Sequence, residues 1–381
     1  MPPTPTPQPT LEPTPQPTST PIPLIVVTPS QPDVLPAPVY FLHEDWNKTK
    51  QIWLLERNGQ TSRQITNEPA SVRDFDVSPI DGSLAYVSGF DLFVANADGT
   101  ARRSVLHDEN EVDSNNNDHR RAGARYHSPL WFPDGQRIAL ADYWGVLFTT
   151  LSGQQRRFQL NKIPEVKNPP DMYFKFYIPY VFSPDGQHFL MALSVYENSL
   201  LVVKNIDEDY LVEPLILKGS AFCDSVWSRD GSRVFCATNT IFANIPGLYA
   251  LDTKSGESKE IFQPDFTLSN LWFFEAPYHT RDNKLNFLVT KNSLVRYKYD
   301  IGLFQMDLNT KSTLITLRNE FTAAQTFGET LWDSSGQGLV GKAHYFNVQG
   351  NERSDTLWLP INGSPAIELR LDGDHMHWGQ P

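Results

Sequence analysis

The sequence predicts an all-β protein: a seven-bladed β-propeller closed by its own C-terminal strand and preceded by a disordered Pro/Thr-rich stalk. Three observations carry that expectation. Prolines crowd the N-terminus, a repeat of about 50 residues runs through the remainder, and one marker of that repeat occurs once more often than the other.

Of the 30 prolines, 14 fall within the first 38 residues. Proline fixes φ and lacks an N–H donor, so residues 1–38 form neither helix nor ladder and are expected to stay extended, near polyproline II. At ~3.1 Å per residue such a tract holds a domain on the order of 100 Å from an anchor. No basic or apolar leader region follows Met1, so the reading places any anchor or signal outside the chain as given.

Residues 39–381 read as one repeat domain. Its first marker is an aromatic or apolar residue, a Pro-Asp-Gly-like turn and a β-rich run. It occurs as Val77-Ser-Pro-Ile-Asp-Gly82, Trp131-Phe-Pro-Asp-Gly135, Phe182-Ser-Pro-Asp-Gly186 and Trp227-Ser-Arg-Asp-Gly231. Degraded copies are placed at Trp272, with Asp282-Asn283, and at Trp332-Asp-Ser-Ser-Gly336. Proline presets φ, Asp caps its own backbone and Gly supplies φ > 0 between antiparallel strands. The second marker is an apolar strand ending in a polar turn, as in Asp91–Gly99, Gly247–Asp252 and Gly302–Asp307. It also appears ahead of the first turn marker, at Gln51–Glu56, which makes seven against six. The missing inner strand lies at the other end, in Asp374-His-Met-His-Trp378. A ring solves the count: that strand completes the blade begun at 39–66 and leaves no long free edge. Six blades remain the alternative if the first segment is an appendage.

The Trp-Ser-Pro-Asp-Gly turn followed by a strand like Asp91–Gly99 resembles the TolB-type propeller repeat of bacterial envelope proteins. The resemblance covers 39–381 and implies an extracytoplasmic, periplasmic or cell-surface protein. Propellers host unrelated activities, so it implies a fold more than a function.

Lys+Arg 32 against Asp+Glu 44 gives a net charge of −12, which disfavours nucleic acid and anionic lipid as partners. No apolar run approaches the roughly 20 residues of a membrane span. Aligned on the Trp position, the residues three earlier are Asp74, Ser128, Pro179, Asp224, Ser269, Glu329 and His375. One step further back lie Arg73, His127, Ile178, Cys223, Leu268, Gly328 and Asp374. These positions start the innermost strands, which predicts a polar, acidic funnel lined by Asp74, Arg73, His127, Asp224, Glu329 and His375. Two long connections reach the same entrance: His107–His119, rich in oxygen ligands of the kind calcium takes, and Asn161–Lys175, with Tyr173 and Phe174 as exposed aromatic surface.

His375 and His377, spaced i, i+2, are expected on one face of a strand, as a transition-metal pair requires. They also resemble the His-x-His of oligogalacturonate lyase, which implies a divalent metal; in this sequence the further ligands would be His127 and His43, or Asp374. The glutamine that precedes the pair in that family is not matched, position 372 being Asp. Cys223 and Cys236 flank the Trp227–Gly231 turn. If Trp227 pairs with Ser232, they lie directly opposite each other and a cross-strand disulfide is geometrically open, as are two buried thiols. Neither a G-x-S-x-G elbow, a phosphate-binding Gly-rich loop nor H-E-x-x-H occurs.

The function read from these residues is a monomeric, non-enzymatic extracytoplasmic scaffold that offers its funnel and loops to a protein or glycan partner, with no cofactor. The alternatives are a metal-dependent, oligogalacturonate-like polysaccharide lyase working in the funnel, and the sensor ectodomain of a membrane receptor.

Overall fold

The computed structural model describes residues 32–107, 126–162, 175–195, 198–221, 223–238, 246–264, 271–293, 298–310, 315–318, 326–346 and 352–380. They form seven four-stranded antiparallel sheets arranged as a ring. The first blade pairs the strand Asp374–Trp378 on the inside with Val39–Glu44, Lys50–Leu55 and Ser62–Gln64. The chain is thus closed as the uneven count of markers requires, and the ring has seven blades, not six. The inner strands of blades 2 to 7 are Val72–Val77, His127–Trp131, Lys175–Phe182, Cys223–Trp227, Leu271–His279 and Thr326–Trp332.

The turn chemistry behaves as the Pro-Asp-Gly marker predicts. Gly82, Gly135, Gly186, Gly231 and Gly336 all have φ between 65° and 74°. The Asp before Gly accepts the N–H two residues on, as Asp134 Oδ1 does from Gln136 (2.8 Å) and Asp185 Oδ1 from Gln187 (3.0 Å). Asn283 replaces Gly in blade 6 with φ 59°, a conformation Asn tolerates better than most residues.

Each blade is apolar on both faces, so no blade buries its surface alone. The core is accordingly a series of clusters, each shared by two neighbours. Ile52 of blade 1 packs with Phe75 and Tyr86 of blade 2; Val87 and Leu92 of blade 2 pack with Trp131 and Leu140 of blade 3. Phe148 and Phe158 face Phe182 and Phe189 of blade 4. Leu190 meets Trp227 and Val234, Phe235 meets Phe274 and Phe287, and Leu288 meets Phe327 and Leu339. The last cluster closes the circle, with Val340 and Trp358 of blade 7 against Val39, Leu55 and Met376 of blade 1. Fully burying one such side chain stabilises by about 1.5–3 kcal/mol. Ahead of the first strand, Leu35 is buried in this closing cluster, and the N–H groups of Val34 and Leu35 both donate to Arg57 O at 2.9 Å.

Two alignments made on sequence need correction. In blade 6 the residue at the Trp position is His279, not Trp272: the turn is Thr280–Asn283, closed by Thr280 N–H to Lys284 O at 2.9 Å. In blade 5, Trp227 pairs with Val234, Cys223 with Thr238 and Cys236 with Ser225. The loop there is Arg229–Ser232, closed by Ser228 N–H to Arg233 O at 2.8 Å, which moves the pairing by two from the expected register. The cysteines are therefore diagonal rather than directly opposite. Their Cα atoms lie 5.5 Å apart and the two Sγ atoms are in bonding contact.

Removing residues 373–381 is expected to abolish the cooperative thermal transition, because blade 1 loses its inner strand and the closing cluster loses Met376 and Trp378. Calorimetry checks this; an unchanged sharp transition would mean the ring does not depend on that closure. Peptide mapping under non-reducing conditions is expected to recover Cys223 and Cys236 as one linked pair, and alkylation of both thiols without reductant would exclude the bond.

Candidate functional site

The inner strands all start at one end of the ring, here called the upper face. Each blade's second strand ends there and its third begins there, so the turns between them stand beside the channel entrance. In blade 2, Val72 pairs with Ser88 and Ser88 with Asp91, which puts the Gly89-Phe90 turn next to Arg73.

Three funnel carboxylates meet the backbone of the following blade. Asp74 Oδ2 accepts the N–H of Ser128 at 3.0 Å, Asp224 Oδ2 that of Ala276 at 2.8 Å, and Glu329 Oε2 that of His375 at 2.8 Å. Glu329 Oε1 also accepts from Met376 N–H. The three amides that open these contacts belong to residues in the left-handed region, with φ 51° at Ser128, 50° at Ala276 and 54° at His375. Each residue sits at a break in strand register. An L-residue held there costs about 1–3 kcal/mol, and the carboxylate offsets it by satisfying an amide that the bulge has turned out of its own ladder. Asp76, which the Trp-based alignment passed over, ties the same blades again. Its Oδ2 accepts Trp131 N–H at 2.7 Å, and its Oδ1 lies 3.2 Å from His377 Nδ1.

Burial pushes Asp74 above the usual carboxylate range against the pull of His375 and His377, and it pushes Asp224 up against the Ala276 amide. Tyr180, in the channel beside Asp224, is also raised by burial and then by that carboxylate. His127 is lowered, first by burial and further by Arg73, despite Asp74 and Asp142. For His377 burial opposes the charged ring, but Asp76, Asp74 and Glu329 outweigh it and raise its pKa.

Asp74, Asp224, Glu329, His127 and His375, read from the sequence as funnel residues, each lie in an inner strand, at or before its middle residue. Arg73 is there too, with its Nη2 donating to Gly89 O at 2.9 Å and Tyr126 O at 3.3 Å, a tie between blades 2 and 3. Ser269 and Leu268 are replaced by Ala276 and Glu275, because His279 takes the Trp position. Tyr173 and Phe174 lie outside the described residues, as does all of the acidic loop after His107.

A metal bound by His375 and His377 is not what this geometry fits. The bulge at His375 breaks the two-residue alternation on which a shared face depends. His375 Nδ1 lies 3.5 Å from Asp374, while His377 packs its ring on Phe75 at 4.8 Å and points Nδ1 at Asp76. His43 stacks edge-on against Trp53 at 5.6 Å, and Asp374 is paired with Lys50 Nζ at 2.8 Å. Among the described residues no group of three or more His, Cys, Asp or Glu is placed to hold a metal ion.

Sequence reasoning also missed the aromatic tips of the upper turns. Trp46 in blade 1 is 89% exposed and Trp144 in blade 3 is 58% exposed, with Phe90 partly exposed between them in blade 2. The signal was an Asp opening two of these turns. Asp45 Oδ1 accepts the N–H of Asn47 (2.8 Å) and Thr49 (3.0 Å), and Asp142 Oδ1 accepts those of Trp144 (2.8 Å) and Gly145 (2.9 Å). Tyr143, whose ring meets that of Trp144 edge-on, lines a cleft of about 410 Å³ between blades 3 and 4 together with His127, Asp142, Asn161 and Ser194 among others; Trp144 itself stands outside this lining.

No protein-family profile matches the chain, and no curated protein matches it. Solved structures do. A puromycin-hydrolyzing peptidase of Mycobacterium tuberculosis aligns over 90% of this chain with 13% identity and a TM-score of 0.58, and the chain spans 52% of that peptidase's length. Oligogalacturonate lyase of Vibrio parahaemolyticus aligns over 86% of this chain and 84% of its own, with 8% identity and a TM-score of 0.58. A putative TolB of Agrobacterium tumefaciens aligns over 85% and 98%, with 14% identity and a TM-score of 0.42. At these identities the likeness is one of fold, and the fold is the propeller.

Asp224→Ala, which strands the Ala276 amide, is expected to cost about 1–3 kcal/mol in urea unfolding. Asp224→Asn should cost less than 1 kcal/mol, because an amide oxygen still accepts and no charge needs solvation; equal losses would discount the contact. His377, raised above 6.5, contributes stability that is fully present below about pH 6.5 and is lost as pH rises through its folded value. The melting-temperature gap between wild type and His377→Gln should therefore be wider at pH 6 than at pH 9, and a gap independent of pH would contradict that assignment.

Proposed function

We propose that the chain is a non-enzymatic, extracytoplasmic binding scaffold that engages its partner with the upper face. The observation that carries this reading is the row of aromatic side chains at the turn tips of three successive blades, Trp46, Phe90 and Trp144, two of them largely exposed. Exposed Trp is a cost unless something covers it, and Trp is among the residues that dominate binding energy when buried by a partner. Loops on a rigid scaffold are where such residues are presented. The funnel carboxylates support the same reading from the other side: with Asp74, Asp224 and Glu329 bonded to the next blade's amides, their role is architectural, and the donor set gives the metal-dependent lyase little support. Two half-cystines in bonding contact are in keeping with an oxidising compartment. Among the described residues no helix is long and apolar enough to cross a membrane.

The test compares affinity capture from bacterial envelope extract by three forms of the full chain: wild type, Trp46→Ser with Trp144→Ser, and a lower-face control, Ile80→Ser with Leu211→Ser. Protein and carbohydrate recovered by wild type should fall at least fivefold with the upper-face pair and stay within twofold with the control. Equal recovery by all three removes the upper-face reading, and eliminative cleavage of a uronate polymer by the wild type would overturn its non-enzymatic part.

A further inference from the structure

The Trp144 turn is held more firmly than an exposed loop needs to be. Asp142, 9% exposed, receives Nη1 and Nη2 of Arg157 at 2.7 Å each while it caps the turn. Gly145 at φ 137° is obligatory there, since a Cβ would stand 2.0 Å from Gln159 O. Asn161 Nδ2 donates to Tyr143 O at 3.0 Å, and its Oδ1 accepts Tyr177 N–H at 2.9 Å, so one side chain fixes both the turn and the start of blade 4's inner strand. Tyr143 braces the indole edge-on at 5.0 Å. The result is an aromatic platform whose position is set before any ligand arrives, which lowers the ordering cost of binding.

The cleft beside it, about 410 Å³, suits a small or chain-like ligand. Its charges are spent internally: Asp142 is matched by Arg157, and burial favours the neutral form of His127. The rest of its lining combines aromatic and apolar surface, from Tyr143, Phe176, Tyr177 and Ile178, with uncharged groups that donate and accept, namely the imidazole of His127, the phenol of Tyr143 and the hydroxyl of Ser194. Among the described lining residues the charged side chain is Asp142, already matched by Arg157, so an ion meets no unmatched counter-charge there, and an anionic chain approaches a protein of net charge −12. A peptide added as a strand needs an open edge, but the cleft is walled by strands paired on their own blades. A sugar ring meets all the conditions, having C–H faces that pack on an aromatic ring and hydroxyls that both donate and accept.

We propose that the cleft between blades 3 and 4 is a subsite for an uncharged saccharide chain, with one sugar in the cleft against Tyr143, hydrogen-bonded by His127, Tyr143 and Ser194, and the next sugar stacked on Trp144 just outside it. The assignment rests on the reading of the upper face as a binding surface and names its ligand class. The turns carrying Phe90 and Trp46 continue the same row around the entrance, so a longer chain has further aromatic contacts to meet.

The test applies the full chain to a glycan array of neutral, uronate-containing and sialylated oligosaccharides. Calorimetric titration of the strongest neutral binder as its hexasaccharide follows. Neutral chains are expected to bind, with affinity falling at least tenfold in Trp144→Ala, severalfold in His127→Ala and less than threefold in Trp144→Phe, all with unchanged melting temperature. Binding to acidic glycans alone, no neutral binder, or undiminished binding by Trp144→Ala overturns the proposal. If neutral glycans fail while capture from envelope extract still depends on Trp46 and Trp144, the saccharide assignment falls and the binding surface stands.

Discussion

The ring depends on a contact between neighbouring inner strands: a carboxylate from one blade accepting a backbone N–H that a left-handed residue turns out of the next. Strand pairing ends at the edge of each sheet, and hydrophobic clusters between blades attract without direction. The contact supplies direction. Asp74 to Ser128, Asp224 to Ala276 and Glu329 to His375 set the rotation of one blade against the next at the channel, where the inner strands crowd together. Between blades 3 and 4 the same arrangement is impossible, since Pro179 has no N–H to offer. There the packing of Phe148, Phe158, Phe182 and Phe189 takes over, with ring centroids of Phe182 and Phe189 at 4.3 Å.

Closure is where these forces converge. The Asp374–Trp378 strand is clamped from both sides, by Glu329 of blade 7 and by Asp76 of blade 2 through His377. Trp378 Nε1 donates to Trp332 O at 2.7 Å, and Trp332 Nε1 in turn donates to Ala276 O at 2.8 Å, so two indoles run a second line of bonds through blades 6, 7 and 1. A strand of five residues supplied from the far end of the chain would otherwise be the weakest element of the ring.

The funnel carboxylates make contacts within the ring. Charged residues around a central channel invite a reading as ligands for a cation or as acid and base. Here an oxygen of each of Asp74, Asp224 and Glu329 accepts an amide of the next blade, and the cation that Asp74 and Glu329 meet is the ring of His377, which Asp76, Asp74 and Glu329 favour in its charged form. At the upper turn tips Asp45 and Asp142 hold the backbone by accepting its amides while the indoles of Trp46 and Trp144 remain exposed.

Much of this was legible in the chain alone. A repeated Pro-Asp-Gly turn dictates local φ values and hairpins, apolar strands on either side dictate sheets that cannot stand alone, and the unmatched strand at 374–378 dictates closure with the segment beginning at Val39. These are properties of short stretches and of counting, and they survive without coordinates. Tertiary structure alone decided the rest. His279 takes the Trp position because the hydrogen bond from Thr280 N–H to Lys284 O sets the turn at Thr280–Asn283, directly after it and well beyond Trp272. Cys236 lies opposite Ser225 because a loop's hydrogen bonds set register to a precision that sequence spacing lacks. His375 and His377 do not alternate as a regular strand would place them, because a bulge whose amides are bonded by Glu329 of blade 7 interrupts the pairing with Val39–Glu44. In each case the deciding partner is remote in the chain or a backbone group without sequence identity, and composition and periodicity carry no trace of either.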